Sequence, residues 1–332
     1  MRLPVLLALA TLALAGSPAA AQPFSFVAFG DMPYCQPTAP QDCPAEEGRV
    51  AQLMRMVNQE RPAFSIYVGD TKGGSELCTD EKLLRAFTFF TLAQHPLVYT
   101  PGDNEWTDCW QDRAGRFDPL ERLTLLRGRF FRDAFSLGRN PMPVVRQADV
   151  DAANRLYVEN ALWIRNGVVF ATIHLPGSNN NRPTEPGEMP RIVPPEGAMA
   201  EFEARDAANL SWLAATFAEA RRGNAPAVVV SIQADMFYAQ RCGRGQDSGY
   251  RSFRSALARE AAAFGRPVLL INGDSHFWLQ DRPLPEAPNL TRIMVPGDGD
   301  TRAAEVRVDP AAVEPWSFRL IGPDDRAAGP SC

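Results

Sequence analysis

Short apolar runs alternate with segments of helical periodicity along most of the chain. Phe24 to Phe29, Phe64 to Val68, Leu97 to Thr100, Val168 to His174, Ala227 to Ile232 and Val268 to Ile271 read as buried strands. Glu46 to Glu60 predicts a helix with Val50, Leu53, Met54 and Val57 on one face. Asp80 is the expected cap of a helix carrying Leu83, Leu84, Phe87 and Phe90. Further helices are expected over Pro119 to Phe135, Glu201 to Arg222 and Ser248 to Phe264, with Gly138, Gly223 and Gly265 just past their ends. Leu175 to Ala200 is a long loop dense in Pro, Gly and Asn, opening at a strand end as functional loops do. Arg292 to Val295 and Ala304 to Val308 are short β pieces near the end. Strands alternating with helices predict an α/β fold with a largely parallel sheet, which an antiparallel-looking tail could extend.

Composition sets the compartment and excludes some partners. Arg2, the apolar run Leu3 to Ala15 and the small-residue pattern Ala19-Ala20-Ala21 read as a signal peptide over residues 1–21. Cleavage after Ala21 would leave a periplasmic or secreted domain over residues 22–332, with no internal repeat or linker. No later stretch reaches the roughly 20 apolar residues of a membrane span. A formal charge of −5 argues against a nucleic-acid partner. Six cysteines, none in a C-x-x-C pair, suggest disulfides in an exported chain. Of the roughly fifteen pairings that six cysteines allow, the preferred set is Cys35–Cys43, Cys78–Cys109 and Cys242–Cys332.

The candidate chemistry lies at the strand ends. Four apolar strands run into Gly-Asp: Gly30-Asp31, Gly69-Asp70, Gly102-Asp103 and Gly273-Asp274. In a parallel sheet these ends share one edge, where α/β folds bind ligands. Clustered carboxylates repel, and a bound cation removes that cost. Asp103-Asn104-Glu105 concentrates polar groups in one turn, Asp274-Ser275-His276 adds an imidazole, and Gln233-Ala234-Asp235 is a fifth polar strand end. His174 ends a strand and is a candidate to line the site, whereas His95, before Pro96, reads as surface. A serine hydrolase is disfavoured, since there is no G-x-S-x-G elbow and only 3 histidines.

In this order the motifs resemble those of the calcineurin-like metallophosphoesterases: Gly30-Asp31-Met32-Pro33, Gly69-Asp70, Gly102-Asp103-Asn104-Glu105, Gln233 after its strand, and Gly273-Asp274-Ser275-His276. The resemblance implies a two-sheet β-sandwich flanked by helices. It also implies two divalent metal ions and in-line attack of a metal-bound hydroxide on a small-molecule phosphate mono- or diester. By position, Asp31, Asp70 and His276 would hold one metal, with Asp70 bridging, and Asp103, Gln233 and Asp274 the other. Asn104 occupies the place of the catalytic histidine that protonates the leaving group. Lys72, two residues past Asp70, would meet a phosphoryl oxygen, and Asn179 and Asn180, followed by Asn181 and Arg182, would orient substrate from the long loop. Pro33, Asp103, Gln233 and Asp274 replace family ligands, leaving an oxygen-rich set that favours Mg, Mn or Ca over Zn. An asparagine cannot act as a general acid near neutral pH, so the alternative is a non-catalytic protein binding a metal or a phosphorylated ligand on the same scaffold.

Overall fold

A computed structural model describes residues 22–35, 43–323 and 332. The expected signal peptide, residues 1–21, lies outside the described residues. Two mixed sheets carry the fold. The five-stranded sheet contains β1 (Phe24–Phe29), β2 (Ser65–Tyr67), β3 (Leu97–Tyr99), β11 (Ala303–Val308) and β12 (Trp316–Ile321), in the order β12-β11-β1-β2-β3. The seven-stranded sheet contains β4 (Val145–Arg146), β5 (Ala161–Arg165), β6 (Val168–Thr172), β7 (Val228–Ser231), β8 (Val268–Asn272), β9 (Leu279–Asp281) and β10 (Leu290–Met294), in the order β4-β5-β6-β7-β8-β10-β9.

The sheets pack face to face because their strands are apolar on both sides. Phe26, Ile66 and Val68 of the smaller sheet and its strand ends meet Phe170, Val229 and Ile271 of the larger. Phe64 stacks on Phe26 at 5.2 Å between ring centroids and meets Phe170 edge-on at 5.0 Å, an arrangement that favours aromatic packing. The outer faces are covered by helices. Helices Ala198–Arg222 and Arg251–Phe264 bury Leu213, Phe217, Phe253 and Leu257 against the larger sheet. Helix Pro44–Glu60 buries Val50, Leu53, Met54 and Val57 in the cluster on the outer face of the smaller sheet. The architecture is therefore four layers, with strands reading as continuous apolar runs because both faces are buried.

Parallel pairing aligns the strand ends. Phe29 pairs with Tyr67 and Tyr67 with Tyr99, so three Gly-Asp ends lie side by side in the smaller sheet. In the larger sheet Thr172 pairs with Ser231 and Ser231 with Ile271, which sets the ends of β6, β7 and β8 in a second row. The expected single edge is thus two facing edges. Of the tail strands, β11 runs antiparallel to β1 as expected, but β10 is parallel to β8.

Several local expectations change. Thr79, not Asp80, caps the helix there, its side chain accepting from the Lys82 amide, and the segment is two short helices, Asp80–Leu84 and Ala86–Phe90. The helix from Pro119 ends at Phe130. Beyond it the chain turns extended, since Phe135 bridges Pro143 and Leu137 bridges Leu97. The three disulfides Cys35–Cys43, Cys78–Cys109 and Cys242–Cys332 are present. No helix among the described residues is long and apolar enough to cross a membrane.

His95 is buried rather than at the surface, with its Nε2 2.6 Å from the Ser65 hydroxyl. Burial depresses its pKa to about 4. An unfolded histidine titrates near ~6.5, so on acidification the unfolded chain takes up the proton first. Stability from this residue is complete above ~6.5 and is lost as pH falls toward about 4. Denaturant melts of His95→Gln should lose less stability between those pH values than the wild type. Parallel losses in the two proteins would rule the assignment out.

Candidate metal centre

The site forms where the two rows of strand ends meet. Asp31, Asp70, Asp274 and His276 all take left-handed backbone angles, with φ of 53°, 60°, 76° and 63°. This conformation carries a cost for every residue but Gly, though Asn, Asp and His take it more often than most, and such strain concentrates at functional positions. Gly273 lets the larger sheet close on the smaller: a Cβ there would stand 2.0 Å from Asp31 Oδ2. Asp31 Oδ1 accepts from the Asp274 amide at 3.0 Å and lies 3.5 Å from His276 Nε2.

Asp31, Asp70 and His276 form, among the described residues, the one group of three or more His, Cys, Asp or Glu side chains with ligand atoms within 4.8 Å of one another. Asp31 is fully buried and its Oδ2 has no hydrogen-bond partner. Desolvation raises the pKa of Asp31, opposed by His276. Burial and then the charges of Asp103, Glu105 and Asp31 push Asp70 well above the usual carboxylate range, and loss of solvation followed by the Asp103 charge does the same for Asp274. Burial works against a charged His276, but the Asp31 carboxylate outweighs it and raises the imidazole pKa. Such a group of acids must take up protons or a cation. The donor set of two carboxylates and an imidazole, with one buried carboxylate oxygen left unsatisfied, fits a divalent cation.

The other three expected ligands are arranged differently. Asp103 Oδ2 accepts from the Ser178 hydroxyl at 2.8 Å, and Asp274 Oδ2 from the Asp235 amide at 2.9 Å. Gln233 Oε1 accepts from the Gly177 amide at 2.5 Å, and its Nε2 donates to Asp70 Oδ2 at 3.2 Å. Gly177 itself packs between two acids: a Cβ there would lie 2.8 Å from both Asp103 Oδ2 and Asp274 Oδ1. Asn104 donates its side-chain amide to Asp70 Oδ2 at 2.8 Å and to the Tyr34 hydroxyl at 2.9 Å.

The remaining expected site residues make hydrogen bonds to other parts of the chain. Lys72 is fully buried, donates to the Gly73 carbonyl at 3.1 Å, and has its pKa lowered by burial against the pull of Glu105, Glu76 and Asp70. His174 is fully buried with Nδ1 2.8 Å from Glu159, and burial lowers its pKa. Asn179 donates to Ser248 and Asn180 to the Gly249 carbonyl, so both amides anchor the long loop to the chain before helix Arg251–Phe264. Residues 178–181 form a left-handed turn, with φ of 46°, 55°, 56° and 61°, that aims Ser178 at Asp103.

Sequence reasoning missed Tyr34. Its hydroxyl donates to Asp70 Oδ2 at 2.8 Å and lies 3.3 Å from His276 Nε2. Glu76 holds this segment by accepting from the Cys35 and Gly73 amides at 2.9 and 2.7 Å, and itself pairs with Lys82. The available signal was a phenol three residues after Asp31, next to a proline that offers no donor.

Comparison with solved structures finds a likeness in fold. A purple acid phosphatase isolated from yellow lupin (Lupinus luteus) seeds superposes with a TM-score of 0.51 at 12% identity over 93% of this chain. The chain has the calcineurin-like metallophosphoesterase fold. It spans 56% of the lupin chain, about half its length. A Thermus thermophilus protein aligns with a TM-score of 0.44 at 11% identity, over 91% of this chain and 99% of that one. No family model and no curated protein matches the sequence. On this metallophosphoesterase fold the acids stand at the usual ligand-binding edge of an α/β sheet.

Gly177 gives a direct test of the packing. Gly177→Ala should cost about 1–3 kcal/mol, because its Cβ meets two fixed carboxylates. Gly128→Ala has nothing within 4 Å of the added Cβ, and should gain about 0.5–1 kcal/mol in its helix. Equal urea midpoints for the two variants would show that the loop does not pack as described.

Proposed function

We propose that residues 22–332 form one exported domain that hydrolyses a small phosphate mono- or diester with a divalent cation held by Asp31, Asp70 and His276. The observation that carries this reading is the cluster of Asp31, Asp70 and His276, whose ligand atoms lie within 4.8 Å of one another, with Asp31 fully buried and one of its oxygens unpartnered. Its fold-level likeness to a purple acid phosphatase supports phosphate-ester chemistry. The oxygen-rich donors favour Mg, Mn or Ca. A bound cation would supply Lewis-acid polarisation of a phosphoryl oxygen. The chain's own part is to orient the ligands. Tyr34 and Asn104 donate to Asp70 and fix its carboxylate, while the 30% exposed side chain of His276 marks the open side. Three disulfides and the leader pattern support export.

A second reading, a non-catalytic binder of a metal or phosphorylated ligand, is favoured by one observation. Asn104 stands where a leaving-group acid is expected, and its amide is engaged by Asp70 and Tyr34. The test is turnover of aryl phosphate mono- and diesters by chelator-treated protein resupplied with Mg, Mn or Ca. Metal-dependent turnover should fall more than about 100-fold in Asp70→Asn, beyond the typical cost of losing an outer partner of a ligand. Metal uptake with no turnover of either ester would leave the binder as the correct reading.

A further inference from the structure

A two-ion version of this centre depends on Asp70, whose carboxylate would have to face both ions. In the structure Asp70 Oδ2 already accepts three hydrogen bonds: from Tyr34 at 2.8 Å, from the Asn104 amide at 2.8 Å and from the Gln233 amide at 3.2 Å. The orientation of Gln233 is fixed by its other end. Its Oε1 accepts the Gly177 N–H, so its NH₂ group must face Asp70. An amide NH₂ carries partial positive charge. It stabilises the carboxylate as a cation would, and it repels a cation approaching from that side.

One oxygen of each acid in the second half is also committed. Ser178 holds Asp103 Oδ2, the Asp235 amide holds Asp274 Oδ2, and the Gly177 backbone sits against both acids. Asp103 Oδ1, like Asp31 Oδ2, has no hydrogen-bond partner, but Asp103 stands outside the cluster of ligand atoms that Asp31 forms with Asp70 and His276.

We propose that the centre takes a single divalent cation, on Asp31, Asp70 and His276. The amides of Asn104 and Gln233, with Gly177 and Ser178, fill the place of a second ion. This inference rests on the reading of the cluster as a cation site. It also converts four departures from the family motif into one device. Asn104 and Gln233 bring neutral N–H donors to Asp70, while Asp103 and Asp274 bring acceptors that hold the loop at Ser178 and the turn at Asp235.

The test is titration of chelator-treated, disulfide-intact protein with Mn²⁺, followed by metal analysis and electron paramagnetic resonance. One Mn²⁺ per chain with an uncoupled spectrum is expected. Asp31→Asn should lose that ion and Asp274→Asn should keep it, because only Asp31 belongs to the proposed donor set. Two ions per chain, or a spectrum with exchange coupling between ions, overturns the inference and leaves the phosphoesterase proposal standing. No uptake by the wild type overturns both. Should Asp31→Asn fail to fold, the wild-type stoichiometry and spectrum still decide the question.

Discussion

Mutual repulsion among the acids at the meeting of the two sheets is the constraint that organises this structure. Asp31, Asp70, Asp103 and Glu105 are buried together at strand ends, where low dielectric makes unpaired charge expensive. Each is answered by a different neutralising device. Glu105 accepts from the Thr71 amide and the Tyr99 hydroxyl, Asp103 from Ser178, and Asp70 from Tyr34 and two side-chain amides. Asp31 Oδ2, Asp103 Oδ1 and Glu105 Oε2 are left without a hydrogen-bond partner, and of these three acids Asp31 is the one whose ligand atoms cluster with those of Asp70 and His276. The strained backbone at Asp31, Asp70, Asp274 and His276 is what brings these groups to one place, and such strain persists only where the surroundings enforce it. Here the surroundings are the aromatic layer of Phe26, Phe64 and Phe170 that sets the spacing of the two sheets.

Much of the scaffold was legible in the sequence because its strands are buried on both faces. Continuous runs such as Val268–Asn272 announce themselves by composition. Their division into two sheets does not, since nothing within a strand names its neighbour; that feature came only through the resemblance of the motif order. The short β4 and the half-exposed β5 escaped notice because Val145 and Ile164 face solvent and break the apolar pattern. Periodicity carries the helix from Pro119 too far because Phe131 and Phe135 continue its apolar face, whereas the Phe135 backbone bridges Pro143 instead.

In the site, the acids and His276 were legible because each follows a recognisable strand end. The residues around them were not, for a physical reason. A polar side chain beside a strand end can serve a ligand or satisfy nearby backbone, and sequence does not distinguish the two. Asn179, Asn180, Lys72 and His174 all make bonds within the protein. Buried polar groups must find such partners, and a loop with four left-handed residues has many carbonyls and amides to satisfy.

The same rule explains why Gln233 has more influence than its neutral side chain suggests. One amide both accepts from Gly177 and donates to Asp70, so it couples the position of the long loop to the charge state of the central acid. A histidine at this place would offer one donor and one acceptor on a rigid ring, or a lone pair to a metal. The flexible amide reaches both partners at once, and in doing so draws Gly177 into the space between Asp103 and Asp274. The loop and the carboxylates thereby hold each other in place. The chemistry open to the centre is then set less by how many acids surround it than by which of their oxygens the chain itself leaves unpaired.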